Sequence, residues 1–391
     1  MNLDYPLASN SWDEKEVKAA TSLLESKKLT MGEFVNKYED NFASFFGSKY
    51  AVMTSSGSSA NLLLISSLMH HSKKNIRLNH GDEIIVPAVS WSTTFFPISQ
   101  NHLKLVFVDI DKETLNIDTD KVLNAITKKT KAIFAVNLLG NPADLDLLKS
   151  ICKERDIYLI EDNCESMGAK LNDIYTGSYG FAGTYSSFFS HHISTMEGGC
   201  VVTDDRELYE IMLSMRAHGW TRNLPEDSII YKREKNDFYE SFNFILPGYN
   251  LRPLEMSAAV GIEQLKKLPR FLKYRKKNAK VFTDLFSLNK NFIIQKEIDQ
   301  SSWFGFSLII KKSSNLCRDS VIKFLNKNRI EVRPIVSGNF LKNPVIKYFK
   351  YSIHKSLDNA DFIHDNGFFV GNHHYDLTNE LNRLYFLLNK L

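Results

Sequence analysis

Short apolar runs alternate with segments of helical spacing along roughly the first two thirds of the chain. EIIVPAV (83–89), KLVFVDI (104–110), KAIFAVNLL (131–139), IYLIED (157–162), TYSSFF (184–189) and GCVVTD (199–204) read as short strands buried on both faces. Between them SSANLLLISSLM (58–69), DKVLNAI (120–126), DLDLLKSICKER (144–155) and ELYEIMLSMRAHG (207–219) carry apolar positions three and four apart, as helices do. This alternation predicts an α/β fold with a mostly parallel sheet flanked by helices, where ligands sit beyond the carboxyl ends of the strands. After GYNLRPLEMSAAVGIEQL (248–265) a long helix is expected to about Phe286. A smaller α+β region follows, with WFGFSLII (303–310) as strand and DSVIKFLNKNRI (319–330) as helix. The expected division is a large domain over 1–255 and a small C-terminal α+β domain over 256–391, begun by the long helix. The break falls near 255–285, and the first residues of the chain are free to join the small lobe.

Composition narrows the class without naming a function. The chain has 391 residues, 43% hydrophobic and 24% charged, which suits a globular protein with a sizeable core. A net charge of +4 is small against 49 basic and 45 acidic side chains, so no nucleic-acid or membrane partner is expected. The most basic segment, KKLPRFLKYRKKNAK (266–280), is expected to be the solvated face of a surface helix. The start, MNLD, lacks the pattern of a signal peptide, and no apolar run approaches the length of a spanning helix. Cys152, Cys164, Cys200 and Cys317 are widely spaced with no CxxC, which points to reduced thiols in a cytoplasm and to no structural zinc.

Four elements carry candidate chemistry. In TSSGSSANLLL (54–64) a strand runs through Ser-Gly-Ser into a helix, placing the amides of Gly57 and Ser58 at a helix N-terminus; that geometry suits a phosphate or serves only as a cap. In LIEDNCES (159–166) Asp162 ends a buried strand, where a carboxylate needs a partner: a protonated pyridine nitrogen, a helix cap or a salt bridge. Trp91, in VPAVSWSTTFF, either stacks on a flat heterocycle or packs in the core. The pair His191 and His192 in YSSFFSHHISTMEGGC lacks the i, i+4 spacing of a helical metal pair, and neighbouring strand residues point to opposite faces. No metal site is expected there; one histidine faces the pocket and the other packs.

Taken together, and in this order, the elements resemble the sugar-nucleotide aminotransferase family of the DegT type, within the aspartate aminotransferase-like, fold type I group of pyridoxal phosphate enzymes. The resemblance runs from YPLASNSWDEKE to FFVGNHH and includes GYNLRPLEMSAA. It implies phosphate contacts for Gly57, Ser58 and Ser186, a pyridine-nitrogen partner in Asp162, ring stacking by Trp91, and a phosphate contact by Asn250 across the interface of a homodimer. Glu165 either orients His191 or another group of the cofactor pocket, or faces solvent.

The chain departs from the family at its catalytic lysine. That residue stands five positions after the phosphate serine and six before the Glu of EGG, and both counts land on His191. No lysine lies between Lys170 and Lys232. Imidazole cannot hold the cofactor covalently as a primary amine does, but it can move protons near neutrality. A histidine in this place resembles the 3-dehydratases of deoxysugar biosynthesis. One branch holds an iron–sulfur cluster on cysteines before the GYN motif; here RAHGWTRNLPEDSIIYKREKNDFYESFNF (216–244) contains none, so no cluster is expected. The resemblance to the cluster-free branch implies pyridoxal 5′-phosphate and pyridoxamine 5′-phosphate as cofactor forms, a GDP-linked 4-keto-6-deoxy sugar as substrate, and L-glutamate as amino donor. His191 is then the catalytic residue. His218 and Arg222 in AHGWTRN, and Arg333 in EVRPIVSGN, are candidate substrate-binding residues or surface ion-pair formers. The alternatives are an aminotransferase using a distant lysine and a non-catalytic member that binds cofactor or sugar nucleotide.

Overall fold

The computed structural model describes residues 3–391. Thirteen strands are assigned in it: Tyr50–Thr54 (β1), Glu83–Pro87 (β2), Lys104–Val108 (β3), Thr130–Val136 (β4), Tyr158–Asp162 (β5), Lys170–Leu171 (β6), Ile174–Tyr175 (β7), Ala182–Ser186 (β8), Gly199–Thr203 (β9), Phe292–Ile293 (β10), Gly305–Ile310 (β11), Tyr351–Ile353 (β12) and Gly367–Gly371 (β13). The α-helices are Glu14–Ser26 (α1), Glu33–Phe46 (α2), Gly57–Leu68 (α3), Ser92–Gln100 (α4), Thr119–Ala125 (α5), Leu145–Arg155 (α6), Arg206–Met215 (α7), Asp237–Glu240 (α8), Glu255–Phe286 (α9), Arg318–Lys327 (α10), Asp358–Asn366 (α11) and Thr378–Leu388 (α12).

Eight strands form one sheet in the order β1-β9-β8-β5-β4-β2-β3-β12, and β9 alone runs against the others. Alternate residues of the inner strands enter two separate cores. Ile84, Val86, Leu105, Phe107, Phe134 and Ile160 pack on one face, and Ile85, Val106, Val108, Ile133 and Leu159 on the other. Burial of both faces explains why these strands read as unbroken apolar runs. A second, antiparallel sheet, β10-β11-β13, packs with α9 and α12 around Phe282, Phe286, Phe306, Leu308 and Phe368. This is the α/β architecture with a smaller C-terminal sheet that the pattern predicts. The chain beyond residue 255 serves both layers, since β12 pairs in parallel with β3 in the large sheet. At the other end, Tyr5 bridges Ile330 and donates its hydroxyl to Gly371 O at 2.6 Å.

Several ends fall short of the expected runs. The strand expected to reach residue 139 stops at Val136; beyond it Leu139 (φ 53°) turns left-handed, as does Gly140 (φ 95°). The strand expected from Trp303 begins at Gly305, because Trp303 (φ 49°) is also left-handed. Helices α1, α2, α4, α11 and α12 are not part of the expected pattern. The basic run is only in part a solvated face: Lys267 and Arg275 are buried on α9, while Lys266, Arg270, Lys273, Lys276, Lys277 and Lys280 are exposed. A helix returns the same face every three to four residues, so Arg275 shares a side with the buried Phe271, Asn278 and Phe282. Among the described residues no helix is long and apolar enough to cross a membrane.

Candidate active site

Parallel pairing brings the carboxyl ends of β1, β2, β4, β5 and β8 to one edge, and the predicted residues at those ends come with it. On β5 two consecutive carboxylates take different work, because neighbouring strand residues face opposite sides. Glu161 accepts from the amides of Gly177 (2.6 Å), Tyr179 (2.8 Å) and Gly180 (2.8 Å), fixing the loop that leads into β8. Asp162 turns toward α3 and α4. Its Oδ2 accepts from Asn61 Nδ2 at 2.8 Å and Thr94 Oγ1 at 2.7 Å; its Oδ1 accepts from the Cys164 amide at 3.2 Å. No ion pair to Asp162 is present among the described residues. Each carboxylate oxygen offers about two lone pairs, so Oδ1 has room for one further donor.

At the start of α3 the Ser56 hydroxyl takes the Ser59 amide at 3.0 Å, leaving the amides of Gly57 and Ser58 without a partner inside the helix. Gly57 is required by close approach. A Cβ there would lie 2.6 Å from Ser186 Cβ, 3.0 Å from Ser186 Oγ and 3.1 Å from Cys164 Sγ. Helix start, strand end and the segment after Asp162 therefore meet around one small space. Ser186 is buried and its Oγ accepts from the Phe188 amide at 3.3 Å, which leaves its proton free to donate. Ser58 is exposed, with its hydroxyl directed to Thr93 at 3.2 Å. Trp91 precedes α4 by one residue and is 57% exposed, so it stands as an open aromatic face rather than as core.

The histidine pair sits in the turn joining β8 to β9. Bonds from Ser187 N to Gly198 O (2.9 Å), Phe189 N to Met196 O (3.0 Å) and His191 N to Phe188 O (2.9 Å) close that turn. The His191 ring meets the rings of Phe304 at 5.1 Å and Phe188 at 5.9 Å, both near edge-on. Its Nδ1 is buried without a partner. Burial, then the positive charge of Arg275, lower its pKa to about 4. His192 is buried and its Nε2 lies 3.2 Å from Ser302 O; it packs under the turn. Glu165 is partly buried. Its Oε2 accepts from the Leu139 amide at 3.1 Å, not from His191, and burial together with Asp162 pushes it up to about 7.

The remaining predicted residues lie on exposed surface. His218 contacts Trp220 edge-on at 5.7 Å, and the Arg222 guanidinium covers Trp220 at 4.5 Å. Asn250 Oδ1 accepts from Arg252 Nε at 3.0 Å, and Arg333 lies 3.5 Å from Glu331. Among the described residues none of these four bonds or ring contacts reaches Asp162, Ser186 or His191. Sequence reasoning missed Asn61, Thr94, Phe304 and Arg275. Asn61 carried a signal, a polar residue in the apolar run of a buried helix, where it must find a bond.

The space bounded by Gly57 and Ser186, two amides at a helix start, an open acceptor on Asp162 and an exposed indole fit a phosphorylated, cationic heterocycle. Residues 10–382 match the DegT/DnrJ/EryC1/StrS aminotransferase family. GDP-4-keto-6-deoxy-D-mannose 3-dehydratase of Yersinia pseudotuberculosis is 57% identical over 390 residues, covering 99% of each chain. The structure of the E. coli GDP-4-keto-6-deoxy-D-mannose-3-dehydratase with bound hydrated PLP superposes with a TM-score of 0.97 at 56% identity, covering 99% of this chain and 100% of that one. A structure of GDP-4-keto-6-deoxymannose-3-dehydratase with a trapped PLP-glutamate geminal diamine gives 0.96 at 56% identity, covering 98% and 100%.

Proposed function

The chain belongs to the DegT/DnrJ/EryC1/StrS aminotransferase family, and from that premise we propose that it is a pyridoxal phosphate-dependent GDP-4-keto-6-deoxy-D-mannose 3-dehydratase. It removes the carbon-3 hydroxyl of the sugar with L-glutamate as amino donor, giving GDP-4-keto-3,6-dideoxy-D-mannose, ammonia and 2-oxoglutarate. The observation that carries this reading is His191, an imidazole in the β8–β9 turn where the family keeps a lysine.

Gly57, Ser58 and Ser186 would hold the phosphate, Asp162 the pyridine nitrogen, and Trp91 the ring face; Glu165 lines the same pocket. When bound, the cofactor supplies an amine that joins a ketone and a ring that draws electrons from a neighbouring carbon. Asp162, whose Oδ1 has room for one more donor, would keep that ring protonated. His191 is neutral at pH 7, because its pKa lies near 4. With Nδ1 buried, Nε2 is the nitrogen that would take the proton from the reacting carbon. The same atom then gives it to the departing hydroxyl, which leaves as water. Without a covalent tether, retention of the cofactor falls entirely on the phosphate cradle, Asp162 and Trp91.

His218, Arg222 and Asn250 serve the site of a second copy in a homodimer. They lie on a surface that also exposes Phe238, Tyr239, Phe242 and Phe244, an apolar patch suited to burial between subunits. Arg333 offers its guanidinium to an anion of glutamate or of the sugar nucleotide. The four unpaired cysteines suit a reducing cytoplasm. The test is incubation with GDP-4-keto-6-deoxymannose, L-glutamate and pyridoxal phosphate, followed by mass spectrometry and an ammonia assay. A sugar lighter by one oxygen atom, with equimolar ammonia, is expected. An aminated sugar with no ammonia would instead establish transamination, and the molar mass in solution tests the dimer.

A further inference from the structure

Arg275 is the least compensated charge near the site. It is 4% exposed, its Nη1 donates to Trp303 O at 3.3 Å and Phe304 O at 3.1 Å, and its Nε is buried with no partner. No carboxylate pairs with it among the described residues, and burial lowers it to about 10. Two turns earlier on α9, Lys267 is buried too, but it is paired with Glu16 at 2.6 Å and Asp13 at 2.8 Å. A buried guanidinium without a counter-charge is costly. Bracing the two carbonyls does not require a charge: Asn372 Nδ2 already donates to Trp303 O at 2.9 Å. The groups that feel the guanidinium are His191, His192, His373 and His374.

We propose that Arg275 is a positioning residue for His191: its guanidinium braces the Trp303–Phe304 loop against the imidazole, and its unpaired charge holds that imidazole neutral and makes its protonated form quick to release. The chain of contact is short. Arg275 fixes the Phe304 carbonyl, the Phe304 ring meets His191 at 5.1 Å and His192 at 5.7 Å, and Ser302 O, on the same loop, bonds His192. The charged group that acts on His191 is Arg275 on α9, with His192 beside it on its own turn; His373 and His374 after β13 feel the same guanidinium. The carboxylates of the site are engaged elsewhere, Asp162 with Asn61, Thr94 and Cys164, and Glu165 with Leu139. A fixed positive neighbour disfavours the imidazolium. A base so tuned accepts the carbon-bound proton only transiently and returns it to the leaving hydroxyl, which departs as water and restores neutral His191. The inference rests on the dehydratase reading for its purpose, though not for its electrostatics.

The test is an NMR titration of histidine-labelled full chain, with and without added pyridoxal phosphate, the His191 resonance being identified by its loss in His191→Asn. Wild type is expected to stay neutral well below the ordinary histidine value. Arg275→Gln keeps donors for the carbonyls but carries no charge; its midpoint is expected to rise by about one pH unit or more. Arg275→Lys keeps the charge and the low midpoint. An unchanged midpoint in Arg275→Gln overturns the proposal. Should that variant fail to fold, Arg275→Met takes its place: a midpoint raised above that of wild type upholds the proposal, and an unchanged one overturns it. The titration needs no substrate. A shifted midpoint in a protein that never deoxygenates sugar removes the proposed reaction and leaves the link between Arg275 and His191; an active enzyme with an unshifted midpoint removes the link alone.

Discussion

The strand-end rim and the histidine turn treat polar groups in opposite ways. Around Asp162 nearly every buried polar atom is paired: Thr184 Oγ1 donates to Asn61 Oδ1 at 2.6 Å, Asn61 donates to Asp162 at 2.8 Å, and Thr94 adds a bond of 2.7 Å. Around His191 three buried atoms are left open: His191 Nδ1, His192 Nδ1 and Arg275 Nε have no partner. A satisfied network is rigid and cheap to keep, which suits a cradle that holds a ligand. Unpaired groups in a low-dielectric pocket are costly, but they keep an imidazole neutral and ready to exchange a proton. On the function proposed above, one region holds and the other reacts.

The sharpest break comes from the reacting side. His191→Asn is expected to leave cofactor affinity near that of wild type while dehydration falls by about 10²–10⁴-fold, read by single-turnover assay and by cofactor titration. Equal loss of both would erase the distinction between the two regions. On the holding side Asp162→Asn is expected to lower both affinity and rate, the rate by about 10²–10³-fold, since the pyridine nitrogen loses its anionic partner. Unchanged cofactor absorbance and rate would refute its role. A milder change, Gly57→Ala, pushes a methyl against Ser186 and is expected to weaken cofactor binding by about tenfold, with a stability loss of ~1–3 kcal/mol by urea unfolding. The smallest effect concerns pH. His191 has a folded pKa of about 4, below that of the unfolded chain, so its contribution is complete above about 6.5. Stability should then fall as pH drops from about 6.5 through 4, by ~1–3 kcal/mol for this residue, because the unfolded state binds the proton first. The urea midpoint of His191→Asn should therefore depend less steeply on pH over that window than wild type does.

Much of the fold was legible because its signals are local. Strands covered on both faces are apolar along their inner positions, as IIVP in β2, LVFV in β3 and LI in β5 show. The cradle was legible for a similar reason: a strand running into Ser-Gly-Ser and a helix, and a carboxylate closing a buried strand, are short-range patterns with few physical readings. The departure at His191 needed only counting. The basic segment on α9 misled, because a run of lysines and arginines does not reveal which of its members turns inward until helical phase is combined with a neighbouring layer.

The sequence by itself determined the parallel sheet, Gly57 at a helix start, Asp162 at a strand end, and the imidazole where the family it resembles keeps a primary amine. Hydrophobic period and chemical identity belong to residues close together in the chain. Tertiary structure alone decided that both histidines meet Phe304 while only His192 bonds Ser302 O, that Asn61 and Thr94 hold Asp162, and that Arg275 is buried without a counter-charge. Those facts depend on contacts between segments as far apart as α9, the β8–β9 turn and the loop before β11, and on a desolvation that no single segment encodes.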